Sequence, residues 1–324
     1  MKKTLLWTSV SLLAFTGAAQ ALELRFAYAQ NATPTVEAMQ KFGELVAEKT
    51  DGEVTVTYFP DSQLGGEREL LEMVQGGLLD ITKVSGGLME SFSPVYGVFA
   101  MPYLFDGEEH FYAAMDSADV TDPIYGSTRE QGMVALTYYN SGARSFYTKD
   151  KPIMSVEDLK GLKIRVLQSP TLIEMVELLG GAPIAMSQAE VYTSIQQGVL
   201  DGAENNEFAI TIARHGEVAK EYSYDMHSRI PDVLMISTAT LDKLTDDQRT
   251  AIQEAAAEST EFHKSVWGAS VDAARAQSQE EFGVNFNYPD VAQFQEAVAP
   301  MYEKLKAEPE KYAAYEAIRA HAEQ

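Results

Sequence analysis

"LKGLKIRVLQSPTLIEMVELLGGAPIAMSQAEVYTSIQQGVLDGAENN", residues 159–206, carries the grammar on which the fold is read. Leu162, Ile164 and Val166 recur at every second position, the period of a half-buried strand. That register sets Lys163, Arg165 and Leu167 on the other face, with Ser169-Pro170 closing the run. "TLIEMVELL" then reads as a helix stopped by Gly180-Gly181, and Ser187 with Glu190 has the spacing of a capping box opening another.

The same grammar runs outward toward the N-terminus. Leu24 to Ala29 reads as a strand, and Ala38, Met39, Phe42, Leu45 and Val46 form one face of a helix over 35–49. "VTVTYF" (54–59) alternates as a strand, 67–75 reads as a helix, and "DITKVS" (80–85) as a third strand. Strands alternating with helices predict an α/β fold built on parallel-type sheets. The segments 69–80 and 190–201 both open on Glu and end through Gln, Gly, Leu and Asp at matching offsets. Any helix entering a strand through glycine has this form, and so would two lobes of related architecture.

Beyond Leu244 the pattern changes to almost forty helix-forming residues, opened by a Thr245–Gln248 capping box. At about 1.5 Å per residue such a helix would be roughly 55 Å long, so it must cross two lobes or kink, with Gly268 the natural place. The charged stretch after Pro300 reads as helix packed on the outside.

The first 21 residues have the form of a secretory signal: Lys2 and Lys3, an apolar run from Leu5 to Ala14, and Ala19-Gln20-Ala21 as a small-x-small cleavage site. A location outside the cytoplasm is therefore expected. The 324 residues contain no cysteine, which excludes disulfides, thiol catalysis and thiolate metal sites. A formal charge of −23 repels nucleic acid and anionic lipid, so neither is an expected partner. Any site for an anion must then be built locally.

Catalytic signatures are absent from the sequence. The five histidines have no helical zinc spacing, and no GxSxG, SxxK, GxxxxGK[ST] or DxDxDG run occurs. No enzyme, metal or cofactor is expected. Arg144, in "YYNSGARSFYTKD" (138–150), follows the apolar strand 133–139, and Arg165 lies within its own strand. From spacing alone, each reads first as an exposed cation or the partner of a structural carboxylate. Glu204, Asn205 and Asn206 cluster after the Asp201-Gly202 turn, where asparagines suit hydroxyl recognition, caps and turns alike.

From Leu24 to about Pro289 the chain resembles the solute-binding proteins of tripartite ATP-independent periplasmic (TRAP) transporters, the C4-dicarboxylate-binding type. The resemblance rests on "FPDSQLGGERELLEMVQGGLLDI", "FAMPYLF", "DLKGLKIRV", "PIAMSQAEVYTSIQQGVLDGAENN" and "LTDDQRTAIQEAAAES", in family order and at family spacing. It implies two α/β lobes around a cleft with a long helix crossing both: lobe I from 22–141 plus 231–270, lobe II from 142–230 plus 271–324. It further implies that Arg165 clamps a ligand carboxylate, that Arg144 assists, and that Asn205 contacts ligand. "DGAENN" with His227 and Pro231-Asp232 resembles members that take hexuronates and related sugar acids. Gln188, where sialate-binding members tend to carry an aromatic, argues against sialate. Asn206, Glu204, Gln30, Asn31 and Tyr192 are further expected contacts to a hydroxylated chain. The implied partners are a small carboxylate and the membrane permease subunits, with the binding protein a monomer. A C4-dicarboxylate or short keto or hydroxy acid, and an enzyme acting on sugar acids, are the competing readings.

Overall fold

The computed structural model describes residues 21–322. The signal segment expected over 1–21 lies, but for Ala21, outside the described residues. Among the described residues eleven strands form: β1 (Leu22–Tyr28), β2 (Val54–Phe59), β3 (Ile81–Ser85), β4 (Met133–Tyr139), β5 (Arg144–Thr148), β6 (Lys163–Val166), β7 (Ala182–Ala185), β8 (Gly202–Asn205), β9 (Glu221–Ser228), β10 (Asp232–Ser237) and β11 (Asn285–Asn287). They make two mixed sheets, ordered β2-β1-β3-β10-β4 and β11-β9-β5-β8-β6-β7.

Without β11, the sheets have one topology. In the first, β1 pairs parallel with β2 and β3, and β10 pairs antiparallel with β3 and β4. In the second, β6 pairs parallel with β7 and β8, and β5 pairs antiparallel with β8 and β9. The two look-alike segments hold equivalent places. Each helix (Glu67–Gln75 and Gln188–Gln196) ends just before a glycine of positive φ, Gly77 at 69° and Gly198 at 73°. That left-handed turn is one that side chains with a Cβ resist. The following aspartates do the same work: Asp80 accepts the Arg25 backbone N–H at 2.9 Å, and Asp201 accepts that of Lys163 at 2.8 Å.

The helix predicted after Leu244 spans Asp246–Glu280, 35 residues, capped by Thr245 and Gln248 as the spacing implied. It does not break at Gly268. Its first half packs on the first sheet, where Thr260 bonds Thr137 and the Tyr138 carbonyl, and Ser259 bonds Tyr139. Its second half reaches the other sheet, where Arg275 donates to the Tyr224 hydroxyl at 2.9 Å.

Two expectations need correction. β6 is not half-buried: Ile164, Arg165 and Val166 are all buried, because the strand lies inside the sheet between β8 and β7. The C-terminal region is not merely external either. Pro300 lies within the helix Ala292–Leu305, whose Phe294, Val298, Met301 and Leu305 recur at helical spacing and are buried. With Ile318 of the last helix, Pro309–Arg319, they join a core that also holds Val95, Phe99, Ile164 and Leu172.

Glu90 ties the two halves together. Its carboxylate accepts from Ser169 Oγ (2.5 Å), Thr171 Oγ1 (2.6 Å) and the Thr171 backbone N–H (3.1 Å), capping the helix Pro170–Leu178. Lys311 completes the node at 3.3 Å. The halves also meet at the rim of a cavity. There Gln30 donates to the Ile212 carbonyl (3.2 Å), and Arg68 to Gln168 Oε1 (2.6 Å).

Candidate functional site

The cavity measures about 330 Å³, within the range of small-molecule sites, and both sheets contribute to its walls. From the first come residues at the ends of β1 and β3, the start of the helix Glu67–Gln75, and Asp232 of β10. From the second come Arg144 of β5, Arg165 of β6, Gln188 and Asn205. Trp267 of the long helix closes one side, packed against Phe208 at 5.2 Å between ring centroids.

Arg165 is the singular feature. Its side chain is 1% exposed, yet among the described residues it forms no salt bridge. Nε donates to the Met186 carbonyl and Nη1 to Gln188 Oε1, each at 3.0 Å. A guanidinium has five N–H donors, so three remain for whatever enters the cavity. Burial pushes its pKa down, opposed by the Glu204 charge on the neighbouring strand, with which it forms no salt bridge. An arginine nonetheless stays protonated at any accessible pH. A buried cation without a counter-charge is costly to maintain, and a carboxylate arriving in the cavity would relieve that cost.

Arg144 lines the same cavity but is already engaged. Nε and Nη2 grip the Glu204 carboxylate at 2.5 and 2.9 Å, Nη2 also donates to the Glu204 carbonyl, and Nη1 donates to Asn205 Oδ1 at 2.9 Å. One N–H is left over. Behind this pair the alternation continues. His227 lies 3.4 Å from Glu204 and 2.7 Å from Asp225, and Asp225 accepts the Phe146 backbone N–H at 3.0 Å. Burial opposes ionisation of Glu204, but Arg144 and His227 outweigh it and lower its pKa to about 2. Burial likewise opposes the charge on His227, and its two carboxylate neighbours overcome it, raising that pKa to about 9. Positive and negative groups thus alternate through a neutral, fully buried chain.

The other expected residues divide. Asn205 lines the cavity. Its Oδ1 accepts from Arg144 and from the Asn206 backbone, which leaves its amide N–H groups for a ligand. Asn206 also reaches the wall but is a helix cap, accepting from Phe208 N at 3.0 Å and donating to the Ser141 carbonyl at 2.7 Å. Gln188 holds Arg165, Gln30 bridges the rim, and Asn31 donates to the Ala29 carbonyl at 2.6 Å. Two residues sit elsewhere. Glu204 lies behind the wall rather than in it, because consecutive strand residues face opposite ways and Asn205 takes the cavity side. Tyr192 is on the outer face of its helix, donating to Glu217 at 2.6 Å.

Sequence reasoning passed over Lys83 and Glu67 and met Asp232 only within the Pro231-Asp232 stretch; the three line the first-sheet wall together. It also passed over Trp267, the one tryptophan of the long helix. Among the described residues no cluster of histidine and carboxylate groups is arranged to hold a metal ion, and no helix is long and apolar enough to cross a membrane.

Two like-built lobes with a polar cavity between them define a solute-binding architecture. The profile of the family described as bacterial extracellular solute-binding protein, family 7, matches residues 26–308. A Salmonella typhimurium protein, YiiZ, of uncharacterised function, is 55% identical over 296 residues, covering 91% of this chain and 90% of its own. Among solved structures, a TRAP periplasmic solute-binding protein from Anaerococcus prevotii with bound α/β-D-glucuronate superimposes with a TM-score of 0.90. It is 38% identical, over 93% of this chain and 98% of that one. A counterpart from Sulfitobacter with bound β-D-galacturonate gives 0.87, at 36% identity over 92% and 99%. The chain belongs to the family 7 extracellular solute-binding proteins, the solute-binding components of TRAP transporters. Proteins of this kind bind small carboxylates and work with membrane permease subunits; they are transport proteins, not enzymes.

Proposed function

We propose that this chain is the periplasmic, monomeric binding subunit that captures a hexuronate between its lobes and hands it, unchanged, to a membrane permease. Arg165 holds the ligand carboxylate, Asn205 donates to it or to an adjacent hydroxyl, and Gln188 fixes the plane of the guanidinium. The observation that carries this reading is a buried arginine with three unused donors opening into the cavity. Its fork matches a carboxylate bidentately, so geometry as well as charge selects the ligand. Relatives with bound D-glucuronate or D-galacturonate support the hexuronate assignment.

Ligand at 100 times its Kd would stabilise the protein by about 2.7 kcal/mol. Thermal unfolding with D-glucuronate, D-galacturonate, C4-dicarboxylates and short keto acids tests the assignment, and the hexuronates should give the largest shifts. Arg165→Ala should lower hexuronate affinity by about two to four decades, the cost of removing one partner of a buried pair, and Arg165→Lys should bind poorly too. Near wild-type affinity in both variants would remove Arg165 from the site. Hexuronate recovered unaltered after incubation, by NMR, is the expected result; steady turnover would favour an enzyme instead.

A further inference from the structure

The wall facing Arg165 is built around a second buried cation, and this one is saturated. Lys83 of β3 projects between Asp232 of β10, 2.9 Å from its ammonium, and Glu67, 3.2 Å away. The lysine side chain is 4% exposed. Burial opposes its charge, and the two carboxylates overcome that and raise its pKa. Glu67 is fixed in turn by the Ser85 backbone N–H at 3.3 Å.

The other cation on the first-lobe side, Arg68, is also occupied: it bonds Gln168, lies 3.3 Å from Glu72 and packs over the Phe92 ring. Asp61 and Glu69 are on that side as well. Lys83, Arg68 and Arg144 each face a carboxylate of the protein, and among the described cavity-lining residues Arg165 alone does not.

We infer that the Lys83–Glu67–Asp232 cluster is the specificity wall of the cavity, receiving ligand hydroxyls and rejecting a second carboxylate. Two N–H groups of Lys83 are spent on its neighbours and the third is free for a hydroxyl oxygen. The carboxylate oxygens of Glu67 and Asp232 are strong acceptors for hydroxyl protons. A ligand carboxylate delivered to the same place would meet two carboxylates and no unpaired cation, and like-charge contact in a desolvated site is strongly unfavourable. The cavity therefore takes monocarboxylates with a polyhydroxylated far end and discriminates against diacids of the same length. This assignment rests on Arg165 being the carboxylate anchor.

Calorimetry with D-glucuronate and D-galacturonate against the six-carbon diacids D-glucarate and galactarate tests it. The wild type should prefer the hexuronates by about 100-fold, equivalent to about 2.7 kcal/mol. Glu67→Gln, which keeps the shape and removes a charge, should cut that preference at least about tenfold. Asp232→Asn, with folding checked by circular dichroism, should move the ratio the same way. Diacids binding the wild type as tightly as hexuronates, or both variants weakening the two classes in equal proportion, would overturn the inference while leaving the hexuronate reading intact. Tight binding of C4-dicarboxylates with none of the hexuronates would overturn both.

Discussion

Arg144 and Arg165 flank the same strand, β8, both buried and both on the cavity wall, yet they do opposite things. Arg144 meets Glu204 within its own sheet and spends four of its five donors there. Arg165 finds only a carbonyl and an amide oxygen. One arginine completes the fold; the other is left incomplete by it. The difference teaches that a binding residue in a strongly acidic protein is defined by what the fold withholds from it. With 48 Asp and Glu in the chain, keeping a cation unpaired requires burial on all sides but one.

The largest expected effect tests the completed side of this comparison. Arg144→Met should strand the Glu204 carboxylate and destabilise the ligand-free protein by about 3–5 kcal/mol, read from denaturant unfolding. If stability is unchanged, the alternating chain is not structural. On the incomplete side the sign should reverse. Arg165→Met should raise the stability of the ligand-free protein while abolishing hexuronate binding, because it removes a buried cation that has no counter-charge. A lower melting temperature for Arg165→Met than for wild type would mean that Arg165 is structurally satisfied after all.

A smaller effect follows from pH. The His227 pKa is raised from 6.5 to about 9, so its contribution is complete below pH 6.5 and lost as pH rises through 9. The Glu204 pKa is lowered from 4.5 to about 2, so its contribution is complete above pH 4.5 and lost as pH falls through 2. Thermal unfolding of the ligand-free protein should therefore show this pair's contribution flat between pH 4.5 and 6.5 and declining on either side. An NMR titration placing His227 near its ordinary value would break the chain at that link. The smallest effect concerns Tyr192. Tyr192→Phe removes only a surface hydrogen bond and should leave hexuronate affinity within about twofold.

Helices and their ends were the legible part of the fold. The Thr245–Gln248 and Ser187–Glu190 boxes and the glycine stops are local signals, written within a few residues. Strands were legible where apolar residues alternate, as in β1 and β2, or run together, as in β4. They were not in β7, "APIA", in β8, "GAEN", or in β9, "EYSYDMHS". In β9 the residues that should face water, Ser223, Asp225 and His227, are buried, because each finds a partner elsewhere in the fold: Ser223 accepts the Ile153 backbone N–H, Asp225 that of Phe146 on β5, and His227 meets Glu204 on β8. Periodicity reads hydrophobicity and is blind to polar groups that neutralise one another. Lys83 escaped for the same reason: its partners lie 16 and 149 residues away along the chain.

By itself the sequence determined the α/β alternation, the spanning helix and the presence of arginines in strands, since each is a matter of short-range spacing and propensity. Only the tertiary structure decided which arginine is neutralised, which stays open to the cavity, and which acids stand opposite. Those outcomes depend on pairings across sheets, where distance in space is unrelated to distance along the chain and a few ångströms separate a structural ion pair from a binding site.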